Sequence, residues 1–172
     1  MRKSIVRAQL APMISVGILA LVTAPAEAQN RAQGNLIVDG KAVAITQAYA
    51  YAEEGYADEK KLDVVVLLCD VPVPAAAVRE GMARGALVEA GKLTCVRQII
   101  NADKVARDSE VRHVRFGHRP PRGYTSEQVF DAKTFEDKTI AGRAHTTTMQ
   151  KSFEGVPYSY DITFSAAIEP KK

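Results

Sequence analysis

The chain has 172 residues, with 23 Lys and Arg against 20 Asp and Glu, two cysteines and no tryptophan. That length suits one ordinary domain. The first 28 residues hold Arg2, Lys3, Arg7 and Glu27, so the remainder carries 20 basic against 19 acidic groups, which gives no electrostatic case for a nucleic acid or an anionic membrane as partner.

The N-terminus has the three parts of a secretory signal peptide. Arg2, Lys3 and Arg7 form a basic start, and Leu10 to Val22 is apolar apart from Pro12, Ser15 and Gly17. Ala26-Glu27-Ala28 then offers small residues at the two positions a signal peptidase reads. The apolar run is shorter than the roughly 20 residues that span a bilayer. No cysteine near the cleavage point offers a lipid anchor. The reading is a cleaved leader over residues 1–28, export to the periplasm or the medium, and a single β-rich domain over 29–172 with no membrane anchor.

Gly34 to Val38 reads as a strand, and Asp39-Gly40 as the hairpin turn after it, because both central positions of a type I′ turn need positive φ. The return strand runs from Lys41 to about Ala52. It sets Val43, Ile45, Gln47, Tyr49 and Tyr51 on one face and alanines with Thr46 on the other. Glu53 to Lys61 is a charged loop. Leu62 to Cys69 is apolar on both faces, as a central, doubly covered strand is. Val71-Pro72-Val73-Pro74 breaks the sheet and leads into one helix over about 75–90. Its packed face is expected to carry Ala75, Val78, Met82 and Ala86, with Arg79, Glu80 and Arg84 opposite. Gly81 and Gly85 each weaken it by about 1 kcal/mol relative to Ala, so it depends on packing.

Leu93 to Ile100 is the next strand, and it bears on the cysteines. Cys69 ends one strand and Cys95 lies near the start of the next, so a disulfide is feasible only if the two strands are antiparallel neighbours. Two buried thiols are the alternative. Asn101 to Glu110 is polar and turn-like, Val111 to Phe116 a short strand, and Arg119-Pro120-Pro121-Arg122-Gly123-Tyr124 a stiff basic loop. Gln128 to Phe135 and Thr139 to Thr148 form a hairpin. The last strand points Tyr158, Tyr160, Ile162, Phe164, Ala166 and Ile168 to the core, and Ser159, Asp161, Thr163 and Ser165 to water. The expected fold is mainly β: an antiparallel sandwich or barrel of some seven or eight strands with one packed helix.

Three segments carry a family resemblance: Gly34-Asn-Leu-Ile-Val-Asp-Gly-Lys41 followed by Ala48-Tyr49-Ala50, then Val65 to Pro74, then Tyr158 to Ala166. This framework resembles an uncharacterised family of small secreted Gram-negative bacterial proteins. The resemblance implies export and brings no activity, cofactor or catalytic residue.

No residue pattern marks a catalytic, metal or nucleotide site. His113, His118 and His145 match no metal-ligand spacing, and the first two fall on opposite faces if they lie on one strand. Gly-x-Ser-x-Gly is absent, and Cys69 ends a buried apolar strand where a reactive thiolate is not expected. The acids Glu53, Glu54, Asp58 and Glu59 sit in a charged loop, and Asp70 reads as a turn residue. The outlier is the 119–124 loop, where Arg119, Arg122 and Tyr124 present a preorganised polar and aromatic surface suited to protein contact. The expectation is therefore a non-enzymatic exported binding or structural module that contacts a periplasmic or extracellular protein, with no cofactor. Two alternatives stand beside it. A small periplasmic hydrolase would need one of the histidines to meet an acid in a cleft. A carrier would need an apolar cavity lined by Tyr49, Tyr160 and Phe164.

Overall fold

The computed structural model describes residues 30–123 and 127–171; the leader over 1–28 and Tyr124 lie outside the described residues. Ten strands and two short helices follow one another: β1 Arg31–Val38, β2 Lys41–Glu54, β3 Leu62–Cys69, α1 Ala75–Arg79, α2 Gly81–Glu89, β4 Cys95–Ile100, β5 Ala106–Arg112, β6 Arg122–Gly123, β7 Gln128–Glu136, β8 Thr139–Thr146, β9 Gln150–Lys151 and β10 Pro157–Glu169. A 3₁₀ turn, Val114–Phe116, lies between β5 and β6. All strands join one curled sheet in the order β6-β5-β4-β3-β2-β1-β10-β8-β7, with β9 extending β10's partner row. Pairing is antiparallel throughout, apart from a two-residue parallel contact of Ile168 and Glu169 with Ala50 and Tyr51. The mainly β architecture is the one the alternation predicts.

Several local expectations hold. Asp39 and Gly40 both have positive φ, and Val38 faces Lys41 across the turn between them. On β3, Val64, Val66 and Leu68 enter the core inside the curl, while Val65, Leu67 and Cys69 enter a second core beneath the helices. Cys69 and Cys95 face each other in the antiparallel β3–β4 register and form a buried disulfide. The 70–94 segment is thus a long antiparallel connection, not a βαβ crossover.

Three expectations need correction. The helix over 75–90 breaks at Glu80, whose extended backbone (φ −89°, ψ 100°) separates α1 from α2. The break resets the helical phase: Met82 is 88 % exposed, whereas Arg84 is only 4 % exposed. Arg84 turns inward because its guanidinium donates to the carbonyls of Ala77 and Val78, which satisfies the open C-terminal end of α1. On β2 the inward face switches: Val43 and Ile45 point into the curl, but from Ala48 onward the alanines do so and Tyr49 and Tyr51 pack under the helices. The β1–β2 register shifts between Arg31 and Gly34, opposite Gln47 and Ile45, as a bulge requires. Lastly, Ala106 to Arg112 is strand, not turn, and His113 onward leaves the sheet. Polar Ser109 and Glu110 hid that strand, yet both are buried.

The curl is tight enough for strands far apart in the sheet to touch across its interior. Gln98 on β4 donates to the Tyr160 hydroxyl on β10 (3.1 Å), and that hydroxyl donates to Gln128 on β7 (2.9 Å). Gln128 in turn donates to the Tyr158 hydroxyl at 3.3 Å. All four side chains are buried. This chain ties the two ends of the sheet together, because Gln128 also fills the space above Gly123 on β6. A Cβ at Gly123 would lie 1.8 Å from the Gln128 amide nitrogen. Burial pushes the Tyr158 phenol up to about 12, and Tyr160 higher still.

Candidate functional site

The segment after β5 shapes the end of the sheet where exposed apolar and basic groups collect. Phe116 plugs into the core and meets Tyr158 edge to face, 5.7 Å between ring centres. Pro121 is buried, and its carbonyl accepts from Val111 N–H (3.0 Å). The chain between these anchors is closed by turns: Phe116 donates to His113 O, Gly117 to Val114 O and Arg119 to Phe116 O. Anchored this way, it leaves Val114, Arg115, His118 and Arg119 exposed on a fixed platform. Arg115 reaches Asp39 of the β1–β2 turn at 3.4 Å.

Arg119 and Arg122 engage different partners. Arg119 lies 5.3 Å from the ring centre of Phe153, in the turn between β9 and β10. Phe153 is 84 % exposed, an unusual setting for a large aromatic. Arg122 instead pairs with Glu110 on β5 at 3.0 Å, and Tyr124 lies outside the described residues. Phe153 is the residue that sequence reasoning missed. It sits in a turn with no periodicity to mark it, and only the approach of Arg119 sets it apart.

Beside this platform, α2 and the 113–120 segment enclose a cleft of about 110 Å³, lined by Gly85, Glu89, Arg112, His113, His118 and Pro120 among others. The Arg112 side chain enters past Gly85, where a Cβ would come within 3.1 Å of its Nη1. Its Nε donates to buried Glu110, and its Nη1 reaches Gly81 O at 3.4 Å. Burial alone would raise the Glu110 carboxyl, but the hydrogen bond from Arg112 and the charges of Arg112, Arg122 and Arg97 outweigh it and hold it below the usual range. His113 accepts from Arg115 N–H through Nδ1 (3.1 Å), which leaves its proton on Nε2. Burial lowers its pKa, partly opposed by Asp70, so the ring is neutral near pH 7. His118 Nδ1 lies 3.0 Å from Glu89. His113 and His118 therefore line one cleft because the chain turns at Val114–Phe116, whereas strand parity would have separated them.

The remaining candidates fall elsewhere. His145 pairs with Asp131 at 3.0 Å on the outer face of β7 and β8, beside an Arg143–Asp161 fork of two 2.7 Å bonds. The fork holds the Asp161 carboxyl below its ordinary range. Asp70 accepts from Thr94 N–H (2.8 Å), a link between the ends of β3 and β4 beside the disulfide. Tyr49 is on the helical side of the sheet, away from Tyr160 and Phe164, so these three line no common cavity. Among the described residues no three His, Cys, Asp or Glu side chains converge as metal ligands, and the 110 Å³ cleft is lined by no hydroxyl or thiol nucleophile. Comparison with known proteins finds no family model, curated protein or solved structure that matches this chain.

Proposed function

We propose that this chain is an exported, non-enzymatic binding module that contacts another protein through the surface built by Arg119 and Phe153. One observation carries the reading: a large aromatic ring stands almost fully in solvent, held by an arginine on a platform that Phe116 and Pro121 anchor. Aromatic and arginine side chains on a rigid base lose little conformational freedom on binding, and such residues dominate protein interfaces. Val114 adds exposed apolar surface to the same segment. Export is supported by the leader-like N-terminus and by the Cys69–Cys95 bridge, which suits an oxidising compartment. Among the described residues no helix is long and apolar enough to cross a membrane.

The test is cross-linking and recovery of partners from periplasmic extract with the wild-type chain and with the F153S/R119S double variant. The expected result is a partner held by the wild type and lost by the variant. Identical partner sets would refute the reading. A small hydrolase is the second reading, favoured by the meeting of His118 with Glu89 in a cleft that also holds Arg112. It predicts turnover of ester or amide substrates that falls in H118A.

A further inference from the structure

We infer that the cleft between α2 and the 113–120 segment is a binding site for a single oxyanion group, a carboxylate or a phosphate, with Arg112 as its principal donor. The inference stands apart from the protein-contact reading, since it uses neither Phe153 nor Arg119. It begins with charge. Arg84, Arg97, Arg112 and Arg122 surround the outer face of β4 and β5 where α2 packs, and the acids that pair with them are Glu110 and Asp108. Glu110 is shared between Arg112 and Arg122, so four guanidinium groups meet two carboxylates. Burial lowers the pKa of Arg84, with Arg112 and Arg97 acting in the same direction and Tyr51 and Glu110 opposing them. Glu89 also lines the cleft, but it faces His118.

Geometry then says where an anion would sit. Among the described residues Arg112 uses its Nε on Glu110 and makes one further hydrogen bond, long at 3.4 Å, so much of its donor fork is open at the cleft. His113 is neutral with its proton on Nε2, because Nδ1 is occupied by Arg115 N–H, and so it adds a donor without adding charge. The volume of about 110 Å³ equals roughly four water molecules at about 30 Å³ each. That admits one carboxylate or phosphate group and leaves the body of any larger molecule outside. Planar, forked donation by arginine is well matched to such groups.

The same chemistry can come from a free ion or from an acidic side chain of a protein, and the experiment separates the two. The oxidised, folded protein is titrated at low, constant ionic strength with inorganic phosphate, with succinate, and with a blocked glutamyl tripeptide, using chloride as the control. Ring-nitrogen NMR signals of His113 and His118 report occupancy. Saturable shifts with phosphate or succinate assign a free anion; saturation with the tripeptide alone assigns a protein-borne carboxylate; both support the site. R112Q should weaken binding roughly tenfold or more, the effect of losing a charge-assisted bond. G85A keeps every charge and favours the helix, yet its methyl, 3.1 Å from Nη1, shifts the Arg112 head by a few tenths of an ångström, so it should weaken binding by a smaller but measurable factor even if R112Q fails to fold. F153S should leave binding unchanged. Shifts no larger than chloride produces, or saturation that G85A leaves intact, would overturn the assignment.

Discussion

Replacing Tyr160 by phenylalanine removes one oxygen from the middle of the buried chain that crosses the curled sheet. That hydroxyl serves two partners, accepting from Gln98 at 3.1 Å and donating to Gln128 at 2.9 Å. Gln98 Oε1 has no partner already, so Y160F strands the whole Gln98 amide, while Gln128 keeps only its 3.3 Å bond to Tyr158. A buried polar atom left unpaired costs about 1–3 kcal/mol, so two of them sum to roughly 2–6 kcal/mol. Tyr158 gives up a single long bond, and Y158F should cost only about 1 kcal/mol. At roughly 4 °C of Tm per kcal/mol for a domain of this size, Y160F should melt roughly 8–24 °C below wild type. Adding Q98M to Y160F removes the stranded amide and should recover part of the loss, since replacing both partners by apolar groups can be nearly neutral. The assay is equilibrium urea unfolding of the oxidised protein followed by far-UV circular dichroism. If Y160F lies within about 0.5 kcal/mol of wild type, or matches Y158F, the network contributes nothing distinctive and the reasoning fails.

The same tyrosines predict alkaline behaviour. The folded-state pKa of Tyr158 is raised from 10.0 to about 12 and that of Tyr160 is raised too, so their contribution is complete below pH 10 and is lost as pH climbs through 10 to 12, because the unfolded chain ionises first. Part of the tyrosinate absorbance, that of Tyr158 and Tyr160, should therefore appear only together with loss of circular dichroism. Full ionisation of all six tyrosines by about pH 11 in a folded chain would contradict it. The Cys69–Cys95 bridge spans 26 residues, for which loop-closure entropy gives about 3.5 kcal/mol. Reduction, or the C69A/C95A pair, should lower the urea midpoint accordingly, and a loss under about 1 kcal/mol would show that the bridge adds little.

Local pattern made much of this fold legible. The Asp39-Gly40 turn, the doubly buried β3, the antiparallel Cys69–Cys95 pairing and the alternation of β10 follow from side-chain period and turn chemistry, which act within a few residues. Arg119 was likewise marked by its surroundings in the chain. The tertiary structure decided the rest. Arg84 is buried because it caps a helix that ends five residues before it, and no periodicity foresees a break at Glu80. Tyr49 and Tyr51 part from Ile45 where the β1–β2 register shifts between Arg31 and Gly34. Ser109, Gln98 and Gln128 are polar, yet they are interior because the sheet curls until β4, β10 and β7 meet. Phe153 meets Arg119 from a distant turn in the same way, and the Arg112 cleft forms where α2 comes to lie beside the 113–120 segment. Short-range sterics write themselves into sequence, whereas polar burial depends on partners far along the chain, which the folded sheet alone supplies.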